Sequence, residues 1–207
     1  MKPYVICHMV SSLDGRIWSS RWRPSGTPAA KLFEPLHDQL GGDAWLVGRV
    51  TGREFAKGDF YPARTDATYP REAWFARRDA AAYGIVLDAH AKIAWARSDI
   101  GGDPIVVVLT EQVVDSHLAG LRSDGVSYIF AGKQELDLRL ALEIVNRELG
   151  VKRLLLEGGA WRTANSYAPG WSTRSASSLR PRSTAPKAGR TCTTRPTRPP
   201  DRYRCAG

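Results

Sequence analysis

The last 48 residues of the chain hold a single leucine, Leu179, and no isoleucine, valine, phenylalanine or methionine. A segment so poor in apolar side chains cannot bury enough surface to offset the entropy of ordering itself, so it reads as an irregular, disordered tail. It is also almost without acid. Asp201 stands against 10 Lys/Arg, and 28 of the residues are Arg, Ser, Thr or Pro. Residues 1–159 carry 20 basic and 20 acidic side chains, so the whole net charge of +9 belongs to residues 160–207. A basic arm is one way to hold a nucleic acid. This one lies on no folded face and lacks an RGG or aromatic-interleaved pattern, so no nucleic-acid partner is expected.

Other shortages narrow the class further. Three cysteines, Cys7, Cys192 and Cys205, make an odd total with no metal-ligand spacing, which points to a reduced, cytoplasmic setting. No run of 18 apolar residues occurs, so no membrane partner is expected. The opening Met1–Cys7 is short and strand-like rather than a signal peptide. What remains is a neutral domain, residues 1–159, of ordinary size for one core.

Strand and helix signals alternate along that domain. Pro3–Val10 is a β-branched apolar run closed by the turn residues Ser11-Ser12-Leu13-Asp14-Gly15. Ala29–Leu40 sets Leu32, Phe33, Leu36 and Leu40 at helical spacing and stops at Gly41-Gly42. Ala44–Val47, Gly84–Leu87, Lys92–Trp95, Val126–Phe130 and Val151–Leu156 read as short strands, and Val113–Leu121 and Leu136–Leu149 as helices. Residues 57–82 show no clean period and suggest a long loop with one short helix around Arg71–Ala82. Pro104–Leu109 is the clearest central strand, because burial on both sheet faces demands a continuous apolar run. The pattern predicts an α/β fold, a mostly parallel sheet with helices on both faces.

In such a sheet, ligands bind beyond the carboxyl ends of the strands. Three polar clusters follow strands here: Ser11–Arg16, Gly48–Arg53 and Glu157-Gly158-Gly159. Glycines let a backbone approach a ligand, and a forked arginine such as Arg49 suits a phosphate. Thr51 is a natural N-cap for a following helix. Each cluster alone is an ordinary turn; their order on successive strands is more specific.

Ser12-Leu13-Asp14-Gly15-Arg16, Val47-Gly48-Arg49-Val50-Thr51 and Leu154-Leu155-Leu156-Glu157-Gly158-Gly159 together resemble the C-terminal reductase domain of the bifunctional riboflavin-biosynthesis deaminase-reductase. The resemblance covers roughly residues 3–160. It implies a dihydrofolate-reductase-like fold, NADPH as cofactor and a small-molecule substrate, 5-amino-6-(5-phosphoribosylamino)uracil, whose ribose receives a hydride. A homodimer is the assembly it suggests. By the same resemblance Gly48, Arg49 and Thr51 would hold NADPH phosphates, Thr110 would sit by the cofactor ribose, and Glu157, Gly158 and Gly159 would lie near the nicotinamide. Asp14 would orient substrate or handle a proton, with Ser12, Arg21 and Arg23 on the substrate side.

The plainer readings stand beside these roles. Asp14 is equally an Asp-Gly turn residue, Glu157 a structural cap or pair, and Arg21 and Arg23 exposed charges flanking Trp22. His8, His37, His90 and His117 show no metal spacing and read as ordinary core or solvated histidines, so no metal is expected. The zinc-deaminase signature of the fused enzyme is missing from the chain. A pterin or small carbonyl substrate, or a non-catalytic nucleotide-binding protein, are the rival functions. The break at residue 160 falls inside a fold that should continue, which suggests a shifted reading frame. The alternative frame over Gly170–Arg195 permits Leu-Val-Asp-Glu-Ile-Ser-Leu-Val-Leu-Ala-Pro, an apolar strand where the present frame has none.

Overall fold

The computed structural model describes residues 1–12, 30–157 and 173–180. Its elements are β1 (Tyr4–Ser12), α1 (Ala30–Leu40), β2 (Ala44–Gly48), α2 (Arg49–Phe55), β3 (Tyr83–Leu87) and β4 (Asp99–Ile100). They continue with β5 (Asp103–Leu109), α3 (Asp115–Ser123), β6 (Ser127–Phe130), α4 (Leu138–Leu149), β7 (Arg153–Glu157) and β8 (Thr173–Arg180).

Ile105–Leu109 are all fully buried, as a strand sealed on both faces requires. The eight strands form one sheet in the order β4-β5-β3-β2-β7-β1-β8, with β6 also paired to β5. Every strand pair is parallel except the short β4–β5 pair, so the sheet is mostly parallel as expected.

Alternate side chains divide between two cores. One face gathers Leu46, Ile85, Val106, Val108 and Leu154 under α4, whose Leu138, Ala141, Leu142 and Val145 point inward. Asp137 caps that helix by accepting from the Arg139 and Leu140 amides at 2.9 and 3.1 Å. Gly150 closes it in the left-handed conformation at φ 69°. The other face gathers Ile6, Trp45, Val47, Val86, Val107 and Leu155 with Leu118 and Leu121 of α3. Helix α2 can lie close on this face because of Gly52, where an added Cβ would come within 2.4 Å of Val86 Cγ1.

Three expectations need correction. Lys92–Trp95 is no strand, although Ile93, Ala94 and Trp95 are buried, because its amides bond to side chains instead of a neighbouring strand. The Lys92 and Ile93 amides donate to the Asp88 carboxylate at 2.7 and 2.9 Å, and the Trp95 amide to the Tyr61 hydroxyl at 3.0 Å. Arg71–Ala82 forms no helix. The Arg71 guanidinium ties down the carbonyls of Glu111, Tyr69 and Val113, and Trp74 makes an isolated bridge to Tyr128. Residues 160–207 are not irregular throughout, since Thr173–Arg180 forms β8, paired in parallel with β1 from Val5↔Thr173 to Ser12↔Arg180.

Candidate active site

Strand order brings the ends of three strands together. β7 lies between β1 and β2, so Ser12, Gly48 and Glu157 end three adjacent parallel strands. The β1–β7 register makes His8 and Glu157 direct partners. Their side chains share a face, and His8 Nδ1 lies 2.8 Å from Glu157 Oε1. Phe33 and His37 are one turn apart on α1, hence on one side of the helix. Phe33 stacks on the His8 ring at 4.1 Å between centroids, and His37 Nδ1 reaches the same Glu157 oxygen at 2.8 Å. One buried carboxylate oxygen therefore accepts from two imidazoles.

The electrostatics follow from that geometry. Burial pushes the Glu157 carboxyl up, but the hydrogen bonds from His37 and His8 outweigh it and hold the group below its ordinary range. The hydrogen bond to Glu157 raises the His37 imidazole above its ordinary value against the opposing pull of burial. His8 is fully buried, whereas the His37 side chain is 30 % exposed. Glu157 and His37 open on a cavity of about 800 Å³ with Phe33, Trp45, Thr51 and Asp103 on its walls.

A second cavity of about 390 Å³ adjoins the ends of β2 and β3, with Gly48, Arg49, Asp88, His90 and Glu135 around it. Asp88 is buried and spends one oxygen on the Lys92 and Ile93 amides. Its Oδ1 has no hydrogen-bond partner among the described residues. Burial raises this carboxyl despite those two amides and the nearby Arg49 charge.

The residues expected at the site are thus divided. Gly48 and Arg49 face the second cavity, while Thr51 and Glu157 face the first. Thr51 is not the N-cap of α2; Gly48 holds that position without a side-chain bond, and Thr51 lies within the helix. Thr110 is fully buried, and its hydroxyl donates to the Ala89 carbonyl at 2.7 Å, which ties the ends of β3 and β5 together. Ser12 is the last residue of β1. Asp14, Arg21, Arg23, Gly158 and Gly159 lie outside the described residues.

His8, His37 and Asp88 were missed by reading the sequence. The signal for the histidines was one of phase: His8 shares a strand face with Ile6, Glu157 shares one with Leu155, and His37 follows Phe33 by one turn of α1. Ile6 and Leu155 mark that face as buried.

Over residues 3–168 the chain matches the family described as the RibD C-terminal domain. The chain belongs to that family. RibD C-terminal membership carries a general class, a reductase of the riboflavin-pathway type. Among solved structures the chain is similar to a pyrimidine reductase-like protein from Corynebacterium diphtheriae. The two share 20 % identity and a TM-score of 0.53, over 79 % of this chain and 69 % of that one, which supports the RibD-type fold. It also matches a diaminohydroxyphosphoribosylaminopyrimidine deaminase/5-amino-6-(5-phosphoribosylamino)uracil reductase from Thermotoga maritima at 17 % identity and a TM-score of 0.42. That match covers 77 % of this chain and 40 % of that one. No curated protein matches the chain in sequence. Among the described residues, no helix is long and apolar enough to cross a membrane.

Proposed function

We propose that the chain is an NADPH-dependent reductase that acts on the ribose of 5-amino-6-(5-phosphoribosylamino)uracil. The observation that carries this reading is a cavity at the carboxyl ends of β2 and β3 together with a larger one that runs along a sheet face to Glu157 at the end of β7, in a RibD-type domain. The donor set suits the cofactor. Arg49 offers a fork for phosphate, Gly48 leaves the backbone accessible, and the unpartnered Asp88 Oδ1 can bond a hydroxyl. Bound NADPH supplies a hydride; the protein supplies binding, orientation and the handling of a proton. Glu157 would stand at the reacting end, in the larger cavity, with room there for a sugar phosphate.

Titration with NADPH and with NADH, followed by turnover with the ribosylaminopyrimidine, tests the reading. Arg49→Ala should weaken NADPH binding by about 10-fold or more, the worth of one charge-assisted contact. NADPH binding without turnover of that substrate would remove it from the reading. Equal affinity for NADH would remove the cofactor preference.

A further inference from the structure

We propose that His37 is the proton donor of this reductase, giving its Nε2 proton to the heteroatom of the bond being reduced, with Glu157 and His8 as the groups that position it. The proposal rests on the reductase reading above and adds a step which that reading leaves open. Reduction of a C=O or C=N bond by hydride leaves an electron pair on oxygen or nitrogen, and that pair must receive a proton. The C–X π bond breaks as carbon receives the hydride. The His37 Nε2–H bond breaks, an X–H bond forms, and the imidazolium becomes neutral imidazole. The Nδ1–H stays on Glu157 Oε1 throughout, so the ring keeps its orientation. Reloading needs only a proton from water, through the exposed part of the ring.

The geometry distinguishes the three residues. His37 Nδ1 is taken by Glu157 at 2.8 Å, which leaves Nε2 for a molecule in the 800 Å³ cavity that His37 lines. His8 has no access to that cavity, being fully buried under Phe33 with its Nε2 enclosed. Its contribution is to donate to the same oxygen and so help keep a carboxylate ionised that is only 5 % exposed. Glu157 in turn favours the charged imidazole. Among the described residues, the titratable groups facing His37 are Glu157 from β7 and His8 from β1. Glu34 and Asp38 lie on its own helix, and Asp103 on β5. The acids in that set favour a protonated His37.

A metal is the competing use of two imidazoles and a carboxylate, and the three donor atoms do lie within 4.8 Å of one another. Two features argue against it. Both N–O separations are ordinary hydrogen-bond lengths, and among the described residues His8 Nε2 has no carboxylate or carbonyl partner of the kind that orients a metal-ligating imidazole.

The test combines a titration with kinetics. In the cofactor-free protein, the His37 ring followed by NMR should titrate above an ordinary histidine, and Glu157→Gln should bring it down. With substrate, the wild-type kcat should fall as pH rises through that titration. His37→Gln should lower kcat by about 10²–10⁴-fold with KM and NADPH affinity nearly unchanged. His37→Ala should regain activity with added imidazole, a rescue that a merely structural role would not give. Turnover by wild type with an unimpaired His37→Gln would overturn the role of His37 alone. A wild type without turnover would overturn the reductase reading and this step with it. A Co(II) visible band lost in His37→Gln would overturn it in favour of a metal site.

Discussion

β5 and β8 belong to one sheet and are made of opposite materials. β5 reads Asp-Pro-Ile-Val-Val-Val-Leu, with its last six residues buried. β8 reads Thr-Arg-Ser-Ala-Ser-Ser-Leu-Arg and comes from the segment that carries all the net charge. Nothing in the composition of β8 asks for a strand. It pairs because β1 has β7 on one side only, and an unpaired edge of amides and carbonyls accepts any extended segment that can reach it. β5 is a strand by the demands of its side chains; β8 is one by the demands of its neighbour. Local composition reports the first kind of strand and is silent about the second.

The sharpest way to break that comparison is to give β8 the side chains it lacks. The alternative-frame run Glu-Ile-Ser-Leu-Val-Leu-Ala-Pro falls within one residue of Thr173–Arg180, so the apolar string and the observed strand coincide. Replacing Gly170–Arg195 by that frame should raise stability by about 5 kcal/mol, since each aliphatic side chain fully buried is worth roughly 1.5–3 kcal/mol. Urea unfolding of the two chains measures it. An unchanged midpoint would mean that the edge position needs no apolar material. Codons for residues 160–207 that cannot encode the string would end the frame-shift reading outright. On the other strand, Ile105→Ala should cost about 4 kcal/mol, a buried deletion with no room to collapse.

The same distinction explains what was legible beforehand. Ile105–Leu109 and the α4 stripe declare themselves by period and by punctuation at Asp137 and Gly150. Lys92–Trp95 shares the apolar character of a strand but meets no strand. The hydrogen bonds that deny it a ladder come from the side chains of Asp88, just upstream, and of Tyr61, 34 residues away, and apolar periodicity announces neither. The site was half legible for the same reason. Glu157 and the Gly48-Arg49 turn carry motif signals. The convergence of His8 and His37 on Glu157 depends on the β1–β7 register and on the docking of α1. A single sequence does not display register between strands about 150 residues apart.

The well-built half has a weak point in acid. Burial, with a smaller contribution from the Lys92 charge, pulls the His117 imidazole from 6.5 down to about 4. Unfolding frees it, so between those values the unfolded chain binds the extra proton. Stability should be level above pH 6.5, fall as pH drops from 6.5 toward 4, and level off again below. The loss from this group is about 3 kcal/mol at 1.36 kcal/mol per pH unit. His117→Phe keeps an aromatic ring against Tyr61 and removes the titration, so its unfolding midpoint should lose most of that slope. An unaltered slope would place the acid sensitivity elsewhere.

The smallest effect concerns how much of the β5 side depends on packing rather than on local signals. Asp137 satisfies two amides at the start of α4, a helix whose inner face already buries Leu138, Ala141, Leu142 and Val145. Asp137→Ala should cost about 1 kcal/mol, because the amides lose a charged acceptor but regain water. Asp137→Asn, which can still accept, should cost less than half of that. Equal losses for both variants would mean that charge near the helix start matters more than the bond geometry. If instead neither variant shifts the urea midpoint, packing alone holds α4. The two kinds of strand would then have a counterpart in a helix placed wholly by its neighbours, despite carrying every local signal of its own.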